Sequence, residues 1–155
     1  MIQRIQSLYL SLTIILPLLF LKGSFLKFIN KTGSEFFMNF TGTWQQSGVA
    51  DSDLLMKQIP LSVIIILIPV VALVALFTFK NRKLQMKITS ALILSAVILT
   101  GLIIYYGISV INMYQAEVIP GFKMVIPALI IVFGILALRG IKKDENLVRS
   151  YDRLR

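Results

Sequence analysis

The sequence predicts an all-α membrane protein, a four-helix transmembrane bundle with a small β-hairpin and a short amphipathic C-terminal helix. Hydrophobic residues make up 57% of the 155 residues, and the mean hydropathy is +0.84, far above the usual value for a soluble domain. Four apolar stretches approach the roughly 20 residues that a helix needs to cross a bilayer. Their central parts carry no charged residue. We therefore expect a single membrane domain over residues 1–155.

The four predicted spans cover residues 5–25, 58–79, 88–111 and 121–139. The first follows Arg4 and resembles a secretory signal, but Leu21 to Ser24 offer only a poor cleavage site, so we expect a retained anchor. Pro69 lies in the middle of the second span, where a missing N–H group and a ring clash kink a helix. We interpret Pro69 as a determinant of helix shape, with a ligand cavity as the alternative.

Residues 26–57 form the predicted outer loop, and its first half alternates in the manner of β-strands. Phe25 to Asn30 and Glu35 to Thr41 flank the turn-forming segment Lys31 to Ser34, which predicts a small β-hairpin resting on the helix ends. Phe37 and Trp44 add aromatic surface to this loop. We expect them to lie at the membrane interface, with docking of a partner protein as the alternative.

Small residues recur along the third span, and small residues also lie on one face of the fourth. Such residues let two helix backbones approach closely and let hydroxyl groups bond across the gap. They predict helix packing between the two spans, and a contact with another molecule is the alternative. The predicted packing residues are Ala91, Ser95, Ala96, Thr100, Gly101, Gly134 and Ala137.

The C-terminal tail, residues 140–155, has a helical pattern of charges and an apolar stripe. Oppositely charged residues lie three or four positions apart, which supports a helix. Lying on the inner leaflet, the stripe would bury in the lipid interface; docking of a protein partner is the other reading. The predicted contact residues are Leu147, Val148, Arg149, Tyr151, Asp152, Arg153, Leu154 and Arg155.

Basic residues indicate the orientation, because Lys and Arg near helix ends stay on the cytoplasmic side. Arg4, the connector from Lys80 to Lys87 and the tail hold most of them. Both termini are therefore expected in the cytoplasm. The formal net charge of +9 fits this topology and attraction to anionic lipids better than a nucleic-acid footprint.

Catalysis is disfavoured by the residue types that the chain lacks. The sequence has no Cys and no His, so thiolate chemistry and imidazole acid-base catalysis have no candidate residue. Asp51 and Asp53 form the one close carboxylate pair on the outer side, and a pair before a helix is usually a cap. We expect no enzyme activity, no cofactor and no metal site.

The two ends of the chain suggest a family. The opening Met1 to Leu10 and the ending Lys142 to Arg155 resemble an uncharacterised group of bacterial inner-membrane proteins, a domain of unknown function typical of Bacteroidota. The resemblance implies four spans, a bacterial inner membrane and no assigned activity. It transfers no catalytic residue.

These patterns together predict a non-enzymatic accessory or structural subunit of a larger bacterial inner-membrane complex, such as one for protein export or envelope biogenesis. The tail and the outer loop are its expected docking surfaces. The alternative is a small carrier or binding protein for a lipid or another apolar molecule, using a cavity shaped by Pro69. The expected partners are membrane lipids and a larger membrane protein complex, while nucleic acids and small-molecule substrates are disfavoured.

Overall fold

The computed structural model describes residues 3–31, 33–46, 52–119 and 121–153. Within them the fold is mostly helical, with one small antiparallel sheet. The α-helices are α1 (Gln3–Leu18), α2 (Ile59–Phe77), α3 (Arg82–Tyr114) and α4 (Ile126–Arg153). The strands are β1 (Leu26–Asn30), β2 (Glu35–Met38), β3 (Gly42–Gln46), β4 (Ser52–Lys57) and β5 (Ala116–Ile119). A short 3-10 helix, Phe122–Val125, precedes α4.

The helices pack in a closed ring, because α1 contacts α2 and α4, and α3 contacts the same two helices. Buried residues of α2 recur three or four positions apart, from Leu61 to Ala75, as expected for a helix with one core-facing stripe. Chain direction places the sheet at one end of the ring, here called the sheet end. The opposite end, here called the basic end, holds the α2–α3 turn and the beginning of α1.

Among the described residues, three helical segments are long and apolar enough to cross a membrane: Ile59–Phe77, Arg82–Tyr114 and Phe122–Leu147. The first predicted span is shorter than expected, since α1 has 16 residues and ends at Leu18. Beyond it, Leu19, Phe20 and Leu21 bond to carbonyls only three residues back, which tightens the chain into turns. This bend buries Phe20, which packs edge-on against Phe25 with ring centroids 5.1 Å apart.

The predicted hairpin is present as β1 and β2, but it belongs to a larger sheet. Five strands lie in the order β4-β3-β2-β1-β5. The sequence analysis missed β3 and β4 because neither alternates apolar and polar residues, and it missed β5 because its partner β1 is distant in sequence. Gly42 is required at the β3–β4 contact, since an added Cβ would collide with the backbone carbonyl of Met56.

The inner face of the sheet continues the hydrophobic core of the helices. Phe28, Phe36 and Met38 are fully or almost fully buried and pack with core residues of α2, α3 and α4. The rings of Phe36 and Tyr114 lie 4.7 Å apart. Burial of side chains this large stabilises the fold by about 1.5–3 kcal/mol each. The sheet is therefore fixed to the helices as part of one core.

Polar contacts also attach the sheet to α2. The side-chain amide of Gln58 donates to the hydroxyl of Thr43 on β3 at 2.8 Å, and both residues are buried. The Ser62 hydroxyl donates to the carbonyl of Phe40 in the β2–β3 turn. These bonds fix the beginning of α2 against the sheet and limit how far the two can move apart.

The tail is not a separate short helix. Helix α4 runs without interruption for 28 residues from Ile126 to Arg153, so the segment from residue 140 onward continues the fourth helix. A Cβ on Gly140 would lie 2.8 Å from Cγ of Gln6. A glycine here therefore allows α1 to approach α4 closely.

Candidate functional site

A row of side chains crosses the face of the sheet that points away from the helices. The strand register places Ile119 opposite Lys27, Lys27 opposite Phe37, Phe37 opposite Trp44, and Trp44 opposite Leu54. Residues that pair across antiparallel strands lie on the same face. We call these five residues the cross-strand row. Phe37 and Trp44, two residues predicted to bind partners, thus lie side by side.

The cross-strand row is accessible and mostly apolar. Leu54 and Ile119 are 37% and 42% exposed, while Phe37 and Trp44 are half-buried. Lys27 is the only charged member, and its aliphatic stem can cover apolar neighbours while its ammonium group stays in water. The row therefore gives the exposed face of the sheet an apolar strip, and Ile29 on the same face is a further exposed apolar residue, at 38%. Contiguous exposed apolar surface is typical of interaction sites.

Trp44 is held in place by the β2–β3 turn. Its indole N–H donates to the side-chain oxygen of Asn39 at 3.0 Å, and the same oxygen accepts from the backbone N–H groups of Thr41 and Gly42 at 3.1 Å each. An aromatic side chain that is already ordered loses little entropy on binding. The hydrogen bond to Asn39 therefore orders the Trp44 side chain before any partner binds.

The predicted tail surface falls mostly outside what the structure describes. The backbone of α4 is described through Arg153, and Leu154 and Arg155 lie outside the described residues. Leu147 is the one predicted contact residue with a described side chain, and it is 43% exposed. It borders a groove of about 400 Å³ with Arg139, Lys142, Lys143 and Asn146. Val148, Arg149, Tyr151, Asp152 and Arg153 have no described side chain.

The small residues of α3 do not form one packing stripe. Ala96 is buried, whereas Ala91 and Gly101 face outward, and an added Cβ on Gly101 would meet nothing within 4 Å. The hydroxyls of Ser95 and Thr100 donate to carbonyls of their own helix at 2.9 Å. The expected bonds across the helix gap are therefore replaced by bonds within α3, the usual partner of a Ser or Thr in mid-helix.

The close contact between α3 and α4 depends instead on a small residue of α4. A Cβ on Gly134 would lie 2.9 Å from Cγ1 of Ile93 and 3.3 Å from Cδ2 of Leu92 on α3. Ala137 is fully buried beside Leu10 and Ala75. The predicted residues Gly134 and Ala137 thus pack inside the chain, which supports the intramolecular reading for α4.

The structure adds a polar cluster that the sequence analysis missed. At the basic end, the side-chain amide of Gln6 on α1 donates to Oδ2 of Asp144 on α4 at 2.6 Å, with both residues buried. The amide of Gln85 on α3 donates to the Ala75 carbonyl of α2 at 3.0 Å. A cavity of about 130 Å³ adjoins these groups and is also lined by Arg82. The cluster joins all four helices.

The spacing of core residues along α4 could have predicted that Asp144 is buried. Ile130, Gly134, Ala137, Ile141 and Asp144 are all buried and lie three or four positions apart, so Asp144 continues the core stripe of α4. Its charge led to its assignment to a solvated tail. In the part of the chain that the structure describes, no group of three or more potential metal ligands occurs.

The fold and these surfaces define a class: a small helical protein with three helices of membrane-spanning length and a five-stranded sheet mounted on one end. A family match identifies it further. The chain belongs to the family described as Domain of unknown function (DUF4293), which matches residues 2–154. No curated protein and no solved structure matches the chain significantly.

Proposed function

We propose that this protein is a non-enzymatic subunit of a larger assembly in a bacterial inner membrane, with four spans and both termini in the cytoplasm. Three helices of suitable length support the membrane location. The 16-residue α1 reaches about 24 Å, and a short span of this kind can be accommodated by local thinning of the bilayer. The apolar turn after Leu18 extends it toward the sheet end.

The charge distribution supports the orientation. Basic residues collect at the basic end, on the α2–α3 turn, the first turns of α3 and the second half of α4. By the rule that Lys and Arg stay on the cytoplasmic side, this end faces the cytoplasm and the sheet faces outward. The basic residues concerned are Lys80, Arg82, Lys83, Lys87, Arg139, Lys142 and Lys143.

The cross-strand row is the observation that carries the docking proposal. Hot spots of protein interfaces are enriched in rigid aromatic residues surrounded by other apolar contacts, and Trp44 with Phe37 and Leu54 fits that description. The partner expected there is a protein with an apolar patch. A membrane anchor with a fixed outward sheet suits a subunit that positions or stabilises a larger complex, such as one for protein export or envelope biogenesis.

The competing function, a carrier for an apolar molecule, gains little support from Pro69. The inward stripe of α2 beside this residue is packed, since Ile65, Ile68 and Ala72 are at most 1% exposed, while Ile66, Val70 and Leu73 face outward. Ile65 and Ile68 belong to the main hydrophobic core. We therefore keep the subunit function as the proposal.

Purification in a mild detergent followed by quantitative mass spectrometry tests the proposal. Leu54→Glu places a charge in the row opposite Trp44, and an unpaired buried charge should weaken a docked partner at least about tenfold. Gln46→Glu, on β3 beyond the row, adds the same charge as a control. A triple change of Leu147, Tyr151 and Leu154 to Ser tests the tail separately.

The proposal predicts one or more stoichiometric partners that are lost from the Leu54→Glu protein and retained with Gln46→Glu. Loss with the tail variant alone would move docking to the basic end. A chain that purifies without any stoichiometric partner would contradict the subunit function.

A further inference from the structure

We infer that a groove at the sheet end binds the phosphate of an anionic phospholipid in the adjacent leaflet, a site that rests on the membrane placement proposed above. The groove lies between the beginning of β1 and the segment leading from β5 into α4. It is open and has a volume of about 340 Å³. Its principal lining residues are Ser24, Phe25, Lys27, Ile119, Phe122 and Lys123. Lys27 and Ile119 form one end of the cross-strand row, so we assign the docked protein to the other end, at Trp44 and Leu54.

Two lysines supply positive charge to the groove. Lys123 donates one bond to the backbone carbonyl of Lys22, and an ammonium group has three donors, so two remain for a ligand. Among the described residues, neither Lys27 nor Lys123 has a carboxylate partner at ion-pair distance. The acidic residues Glu117 and Glu35 each lie opposite Ile29, which is two positions from Lys27 along β1 and on the same face of the sheet.

Lining one groove distinguishes Lys27 and Lys123 from the other lysines at the sheet end. Lys22, Lys31 and Lys57 lie at the same end, and none of them lines this groove. The hydroxyl of Ser24, which also lines the groove, is a further donor to phosphate oxygens.

The apolar lip of the groove selects a lipid over a free anion. Phe122 is 80% exposed, and Met124 and Val125 are each 52% exposed, directly before the apolar helix α4. In the proposed placement, these side chains meet acyl chains just below the lipid headgroups. In this placement the two lysines meet the lipid phosphate and the apolar side chains meet the acyl chains.

Native mass spectrometry on the delipidated full chain tests the site with phosphatidylglycerol and with phosphatidylcholine of the same acyl chains. Each lysine near an anionic lipid contributes about fivefold in affinity, so Lys27→Gln should weaken phosphatidylglycerol binding by about that factor. Lys27→Gln/Lys123→Gln should weaken it by about 25-fold. The control Lys31→Gln/Lys57→Gln removes equal charge from exposed positions outside the groove and should retain binding.

Equal binding by the groove variants and the wild type would overturn the site, as would equal loss in the control pair. The single variant Lys27→Gln keeps the Lys123–Lys22 bond, so its result does not depend on that tether. Complete displacement of phosphatidylglycerol by millimolar inorganic phosphate would show a free-anion site and overturn the lipid assignment. The assay needs no partner protein, so its failure is distinct from failure of the docking proposal.

Discussion

The pair Gln6 and Asp144 joins the first and last helices of the ring at the residue scale. Both side chains are at least nine-tenths buried, and a buried carboxyl group is costly unless it is hydrogen-bonded. The 2.6 Å bond from the Gln6 amide therefore fixes where α4 lies along α1. Gly140 makes this possible by leaving room for the Gln6 side chain.

Replacing Gln6 tests this role. Gln6→Ala should lower the free energy of unfolding by about 1–3 kcal/mol, because it leaves the buried Asp144 without its donor. The control Asn146→Ala lies at an exposed position of α4, two residues after Asp144. It should change the free energy of unfolding by no more than about 0.5 kcal/mol. The measurement is denaturant unfolding in detergent. A Gln6→Ala protein as stable as Asn146→Ala would contradict the assignment.

At the scale of elements, helix packing depends on Gly134 rather than on the small residues of α3. Gly134→Val should destabilise the protein by about 1–3 kcal/mol, because the added atoms push against Ile93 and Leu92. Gly101→Ala, with open space around it, should instead stabilise it by about 0.5–1 kcal/mol through helix propensity. Thermal unfolding in detergent compares the two variants.

The opposite order of stabilities would show that α3 and α4 are packed differently. A Gly101→Ala protein that changes oligomeric state, measured by light scattering, would instead place the outward face of α3 in a contact between molecules. The pair thus separates the two readings that the sequence left open for the small residues.

The sequence predicted elements whose signals are local. Apolar runs located the helices, and alternation in Phe25 to Asn30 located the β1–β2 hairpin. Boundaries were less accurate: α3 begins at Arg82 and ends at Tyr114, beyond the predicted 88–111, because charged residues can end a membrane span without ending a helix. Gln115, the cap of α3, has φ of 48°, a left-handed conformation that sequence patterns assign mainly to glycine.

Elements set by distant contacts were not predictable in this way. Strand β5 has four residues and pairs with β1 from a distant part of the chain, so no local pattern marks it. The cross-strand row depends on that register and on a bulge between Thr43 and Trp44. Phe37 and Trp44 were predicted as contact residues, but their position in one row required the sheet.

At the scale of the whole molecule, three layers follow one another from the basic end of the helices to the sheet end. A polar cluster closes the basic end, apolar side chains fill the middle, and the sheet caps the other end through its buried face. The sheet is joined to the helices by core packing and by Gln58 and Ser62. Because the sheet is fixed to the helices, a partner docked on the sheet would keep a fixed position relative to them.

The function proposed for this protein requires that the sheet and the basic end lie on opposite sides of the membrane. The chain has no cysteine, so single cysteines can report on each end. Suitable positions are Gln3 at the beginning of α1, Lys31 after β1 and Asn81 before α3. A membrane-impermeant maleimide applied to intact spheroplasts should label Lys31→Cys alone, with Gln3→Cys and Asn81→Cys labelled only after lysis. Labelling of Lys31→Cys together with either of the other two in intact spheroplasts would contradict the four-span arrangement.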